Sequence, residues 1–185
     1  AQKTAEKQLV NQSPTLEQVQ QNLQTAQDLD RAMGALRQSI ANQDQVKSES
    51  KYLNEDPTVK ANYDQAVQRA EDIINATQNP ELNKGTIEQA TQAVQNAEQA
   101  LHGVEKLNQD KTTASKELNN LTNLTDAQRE KLKELINHSD SRDDIKQELE
   151  QAKQLNNAME QLKNQVALKD SVHSSSNYFN EDSAQ

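Results

Sequence analysis

His102, His138 and His173 are the only histidines in the chain. A metal site on a helix needs a second His, Asp or Glu at i+4 on one inward face, and none of the three has one. Each is expected at a solvated helix end. His102 stands beside Gly103, and His138 closes a short helix, where a cation suits the dipole. The carboxylate pairs Glu71-Asp72 and Asp143-Asp144 would serve acid–base chemistry only in a pocket that raises one pKa. Adjacent helical residues instead point about 100° apart, so these pairs read as solvated faces or first-turn charges. With no Cys, neither thiol nucleophiles nor disulfides are available. No Ser-His-Asp arrangement, phosphate-cradling glycine loop or basic-aromatic surface is present either. The aromatics are Tyr52, Tyr63 and the Tyr178-Phe179 pair. Aromatics often anchor interfaces, but Tyr63 lies on an apolar stripe and the others hold repeat-equivalent positions, which favours core packing. The expectation is a protein that is no enzyme, holds no metal or cofactor, and offers no assignable ligand-binding residue.

The elements that would carry such residues follow from composition. Of 185 residues only 32% are apolar and 2% aromatic, too little to fill one large globular core. Only 3 Gly and 3 Pro interrupt a sequence rich in Gln, Ala, Leu, Glu and Lys, so long helices are expected and strands are not. The net charge of -9 repels phosphate backbones and anionic lipid. Nucleic acid is therefore excluded as a partner. No run reaches the ~18 apolar residues of a membrane-spanning helix, so this fragment is not expected to insert in a membrane. The opening Ala1-Gln2-Lys3 is not a signal peptide and reads as the start of an excised fragment.

Disorder, the usual companion of low hydropathy and high charge, is countered by an internal repeat. At an offset of 126 residues the first 59 positions align with the last 59 without a gap. Leu29, Ala32, Met33, Leu36 and Ile40 fall on Leu155, Ala158, Met159, Leu162 and Val166. Tyr52-Leu53-Asn54-Glu55-Asp56 falls on Tyr178-Phe179-Asn180-Glu181-Asp182. Holding phase from within one repeat to within the next, the chain is expected to come from a longer array.

Helix starts are placed by capping residues. Asp56-Pro57 and Ser13-Pro14 each put an acceptor before a proline. Thr86 with Gln89 and Thr125 with Gln128 have capping-box spacing, and Ser141 with Asp144 is a weaker version. From Pro57 an apolar stripe through Val59, Tyr63, Val67, Ala70 and Ile74 predicts a helix ending before Asn79-Pro80. After Thr86 a stripe from Ile87 to Leu121 crosses His102-Gly103 in phase, predicting one helix of about 35 residues, since an internal glycine costs only ~1 kcal/mol. A short helix is expected over 126–137, and long helices over 142–167 and, in the earlier copy, from near Ser13 to near Ala41. Residues 42–55 and 168–181 read as ordered loops docked by their aromatic, and the last segment, 171–185, is expected to fray. The fold class is all-α, a string of tandem three-helix bundles connected by long shared helices into an elongated rod.

Tyr52-Leu53-Asn54-Glu55-Asp56-Pro57, then Tyr63-Asp64-Gln65-Ala66-Val67 and Ala70-Glu71-Asp72-Ile73-Ile74-Asn75, resembles the FIVAR module. Leu121-Thr122-Asn123-Leu124-Thr125-Asp126-Ala127-Gln128 with Leu155-Asn156-Asn157-Ala158-Met159 resembles the GA module. Their alternation is similar to that in the family of giant staphylococcal extracellular matrix-binding proteins. The boundaries expected are a partial GA-type bundle over 1–41, a FIVAR-type module over 42–101, a GA-type bundle over 102–152 and a truncated FIVAR-type start over 153–185. The resemblance implies a cell-wall-associated, extracellular adhesin that binds host fibronectin, as an elongated monomer. It also raises albumin, but albumin-binding GA modules carry an aromatic in the second helix and adjoining loop, and residues 126–137 have none. Albumin is not expected as a partner. A purely structural cell-envelope spacer is the alternative, and an intracellular coiled-coil scaffold a third reading, which capped helices with short loops disfavour.

Overall fold

The computed structural model describes residues 1–175. Among them the order is α1 (Gln2–Asn11), α2 (Leu16–Ser39), α3 (Gln43–Ser48), α4 (Ser50–Leu53), α5 (Pro57–Asn75), α6 (Lys84–Gln99), α7 (Gly103–Asn119), α8 (Asp126–His138) and α9 (Arg142–His173), with no strand. The chain divides into two compact units, Ala1–Val104 and Glu105–Gln185.

In the first unit α2, α5 and α6 form the bundle, and α1 packs back on α2. Leu29, Ala32, Met33 and Leu36 of α2 meet Tyr63, Val67 and Ala70 of α5 and Ile87, Ala90 and Val94 of α6. These residues recur at three and four, so each helix turns one narrow stripe inward. Burying such stripes is the main force holding the unit together. In the second unit Leu107, Ala114 and Leu118 of α7 close against Leu132 and Ile136 of α8 and Ile145 and Ala152 of α9, with Leu124 beneath the connecting turn.

The expected bounds hold closely for α5 and α8, and α9 starts at Arg142 as expected but runs past 167 into the stretch read as a loop; the capping box at Thr125 and Gln128 is present in both directions. Ser141 Oγ accepts from the amides of Asp143 and Asp144 at 3.2 and 3.4 Å. Asp56 sits at the N-cap of α5 with Pro57 inside, but its side chain makes no cap hydrogen bond.

Four expectations are corrected. First, Thr15, not Ser13, caps α2, accepting from the Gln18 amide; the Ser13 hydroxyl donates back to the Leu9 carbonyl at 2.8 Å. Second, α6 starts at Lys84 with Asn83 as cap, so Thr86 supplies the capped amide rather than the cap. Third, residues 42–55 are not a loop but contain α3 and α4, drawn in because Val46 is buried against the α2, α5 and α6 core. In the second copy α9 runs helical to His173, while Tyr178-Phe179 and the rest of the segment expected to fray lie outside the described residues. Fourth, the helix expected to run unbroken from Thr86 to Leu121 is two, α6 ending at Gln99 and α7 starting at Gly103. The other long helix expected to be shared, α9, is continuous over 32 residues.

Candidate functional site

The interruption between α6 and α7 coincides with a cluster of polar contacts in the first unit. Continuing the helix would send the His102 amide to the Glu98 carbonyl; instead it donates to the Glu55 carboxylate. The other Glu55 oxygen accepts from the Asp56 amide at 2.7 Å, and Glu55 is 4% exposed. One buried carboxylate thus fixes the start of α5 and the end of α6 together. A charged acceptor on two backbone amides is among the stronger hydrogen-bond arrangements. Gly103 makes the approach possible. A Cβ there would lie 2.5 Å from the Lys51 carbonyl oxygen and 2.7 Å from that of Ser50, closer than atoms pack.

Around this clamp, α3 and α4 are fastened to the bundle by side chains. Lys47 pairs with Asp64 at 2.9 Å, and Gln43 donates to Glu71 at 2.7 Å. Lys51 pairs with Glu98 at 2.9 Å and Glu49 at 3.3 Å. Tyr52 donates to Asp64 at 2.9 Å, stands edge-on to Tyr63 with ring centroids 6.0 Å apart, and carries the Lys60 ammonium over its face at 5.5 Å. Burial, then the Asp64 acceptor, pushes the Tyr52 hydroxyl pKa up. The contact with Asp64 holds the Lys47 ammonium above its usual value, and that with Glu98 does the same for Lys51. Tyr63 is fully buried, its hydroxyl lacks a hydrogen-bond partner, and burial with the nearby Glu98 and Asp64 charges pushes its pKa up to about 12.

Apart from the Tyr63 hydroxyl, these groups pair with one another. The Tyr52-Leu53-Asn54-Glu55-Asp56-Pro57 stretch, quoted above for its resemblance, is thereby a structural knot. Tyr52 and Tyr63 both pack as the sequence suggests. Glu55 and Gly103 were missed as a pair, although a lone glycine inside an otherwise regular stripe was the available signal.

The remaining candidates are scattered. His102 lies at the clamp, His138 is exposed at the end of α8 with Nδ1 2.7 Å from the Glu134 carbonyl, and His173 ends α9. Glu71 and Asp72 accept from Gln43 and Gln68, and Asp143 and Asp144 lie in the first turn of α9. Among the described residues no three His, Cys, Asp or Glu side chains converge as a metal site would require, and no helix is long and apolar enough to cross a membrane. On α8 the exposed large hydrophobic is Leu135, and the helix bears no aromatic.

Comparison with known proteins gives the same two modules. The FIVAR domain family matches residues 32–102 and 158–185, and the GA module family matches 1–32 and 104–158, leaving only Gly103 between them. Extracellular matrix-binding protein EbhA of Staphylococcus aureus (strain Newman) is 47% identical over 92 residues, 50% of this chain and 3% of that protein. Extracellular matrix-binding protein ebh of Staphylococcus aureus (strain NCTC 8325 / PS 47) has the same identity over the same share of this chain, and 1% of its own length. This chain therefore spans only a few hundredths of the relatives it matches. The crystal structure of the EbhA 756-1003 domain from Staphylococcus aureus aligns with a TM-score of 0.76 at 32% identity, covering 82% of this chain and 63% of that one. A structure from the characterization of extracellular matrix binding protein (Embp)-mediated Staphylococcus epidermidis adherence to fibronectin aligns with a TM-score of 0.53 at 33% identity, covering 54% and 79%. The relatives' names describe matrix-binding proteins, not enzymes. With FIVAR matches over more than half its length and GA matches over nearly all the rest, the chain belongs to the FIVAR domain family, its modules alternating with GA modules.

Proposed function

We propose that the chain is a repeat stretch of an extracellular, cell-wall-associated adhesin that binds host fibronectin weakly per module and also acts as a stiff spacer. The observation that carries this reading is the alignment, at 33% identity and a TM-score of 0.53, with the structure from the Embp fibronectin-adherence work. The unit supporting it is an alternation with boundaries at 1–41, 42–101, 102–152 and 153–185. Low affinity per module fits described residues that present no exposed aromatic cluster, the concentrated anchor that dominates tight interfaces. Many linked copies convert weak contacts into firm attachment.

The test is a biosensor titration of the 185-residue chain over immobilised fibronectin, with albumin on a parallel surface. Saturable binding to fibronectin and none to albumin is the expected result. Absence of a saturable fibronectin signal defeats the adhesive reading and leaves the spacer without a ligand. Sedimentation is expected to give a monomer whose coefficient does not change with concentration; a concentration-dependent dimer would favour a coiled-coil scaffold.

A further inference from the structure

Residues 76–83 join α5 to α6 and form the longest connection among the described residues. Asn79-Pro80 explains why no helix crosses it. Proline has no amide to donate, and its ring disfavours the helical conformation in the residue before it. Asn79 takes a φ of 49° instead, in the left-handed region. None of the amides from Ala76 to Leu82 donates to a backbone carbonyl. Thr77, Gln78 and Asn79 are exposed, and Leu82 is 36% exposed.

An endopeptidase needs such a segment. It grips several extended residues of its substrate through their backbone, and a helix must unfold before it can enter. Residue types then single out the bond. Within the connection Glu81 is the only ionisable residue, and the bond to Pro80 lacks an N–H. The Glu81–Leu82 bond therefore offers a carboxylate on its acyl side and an aliphatic side chain on its amine side. Other described glutamates are less open. All but Glu49 and Glu55 lie in helices, the Glu49 amide is bonded to the Val46 carbonyl at 3.2 Å, and Glu55 is 4% exposed. At Glu81 two bonds must give way: Gln2 donates to its carbonyl at 2.6 Å, and its carboxylate accepts from the Asn83 amide at 2.8 Å.

A cut at this bond leaves the packing around it in place. Ile87 and Val94, downstream, are 0% exposed in one cluster with Leu36, Tyr63 and Val67, upstream. Lys51 reaches Glu98 at 2.9 Å, and the Glu55 carboxylate holds the His102 amide, so both contacts span the cut.

We infer that the connection between α5 and α6 is a processing site for an endopeptidase that selects glutamate on the acyl side, and that the module keeps its fold once cut. Water adds its oxygen to the Glu81 carbonyl carbon and the bond to the Leu82 nitrogen breaks. The products are a new carboxylate at Glu81 and a new ammonium at Leu82. Covalent continuity ends there while packing still joins the two pieces, so a later loosening of the core, rather than the cut, parts the chain. This holds whether or not the chain binds fibronectin.

The experiment treats the intact 185-residue chain with a glutamate-specific serine endopeptidase in native buffer and follows the products by mass spectrometry. Within residues 1–175, hydrolysis after Glu81 is expected at least about tenfold faster than at any other bond, because the helical sites wait on local unfolding. The pieces 1–81 and 82–185 should leave a sizing column together, at the volume of the uncut chain and with its circular dichroism, and separate in concentrated urea. Glu81→Gln, which keeps an acceptor for the Asn83 amide, should fold as wild type and lose that cut. Three results overturn the inference: a first cut elsewhere within residues 1–175; cleavage after position 81 that persists at the same rate in Glu81→Gln; or pieces that part on the column without denaturant.

Discussion

Gly34 and Gly103 are both helical glycines, yet an added methyl group meets nothing within 4 Å at the first and backbone carbonyl oxygen at the second. Gly34→Ala should therefore gain the propensity difference, about 0.5–1 kcal/mol, while Gly103→Ala should lose about 1–3 kcal/mol by forcing α4 away. Urea midpoints with unchanged slopes measure both; a stabilised Gly103→Ala would show that the close approach is dispensable. Tyr63 offers a second residue-scale test. Its folded pKa of about 12 exceeds the ~10 of the unfolded chain, so the native state keeps a proton that the unfolded chain has already released. The resulting stability is whole below pH 10 and drains away as pH rises toward 12, by about 2–3 kcal/mol. Tyr52 and Lys47, also shifted upward, lose stability in the same direction. Tyr63→Phe should flatten part of this alkaline loss without lowering stability at pH 7, because the deleted hydroxyl has no partner. Unfolding titrations at pH 7 and across pH 9–11.5 decide it; an unaltered alkaline slope would disprove the assignment to Tyr63. From sequence, the stripe placed Tyr63 in the core. Its missing partner could not be read, since that depends on which side chains other helices bring near.

At the scale of elements, caps were legible where the partner is three residues away and lost where neighbouring polar residues compete. Thr125 and Gln128 form the expected box, and Thr125→Ala should cost about 1 kcal/mol and raise amide exchange in the first turn of α8, read by hydrogen exchange. Ser13 and Thr15 both fit a cap, and the proline between them favoured the wrong one. The repeat contained the answer, because Ser141, which does cap α9, aligns with Thr15, and Ser139 with Ser13. Those aligned serines even share a bond, each hydroxyl donating to the carbonyl four residues back. The break between α6 and α7 was not legible because its cause, Glu55, is 47 residues upstream. Apolar phase carries through residues 100–102 either way, so periodicity cannot report the rupture. Glu55→Ala leaves two buried-end amides without their acceptor and should cost about 2–3 kcal/mol. Loss of protection at the His102 and Asp56 amides, measured by exchange, is expected with it; full protection of both would rule out the clamp.

For the molecule as a whole, the repeat disclosed the modules but not which stripes are covered. Leu36 and Val46 are 0% and 1% exposed, whereas their copies Leu162 and Val172 are 52% and 58% exposed. The residues are equivalent: α5 and α6 lie over the first stripe, and at the 126-residue offset the counterparts of both helices fall outside the described residues, so the second stripe has no such cover there. Composition was a sounder guide at this scale, since few aromatics and few glycines leave narrow helical cores as the economical solution. On the adhesive reading, joining two 185-residue chains in one polypeptide should raise apparent affinity for densely immobilised fibronectin by about tenfold or more. Lowering the surface density until only single sites are engaged should erase that gain, and an enhancement that persisted on sparse surfaces would mean the junction itself binds.

The carboxylate that joins the Asp56 and His102 amides has a consequence for a chain under tension. It closes residues 55–102 into a loop latched at its mouth, so pulling on the flanks loads the latch before it loads the strand within. Some 47 residues, about 160 Å when drawn out, stay hidden until the latch and the packing around it yield. A single-molecule pulling trace would register that as one discrete step of lengthening, and Glu55→Ala would let it come at lower force.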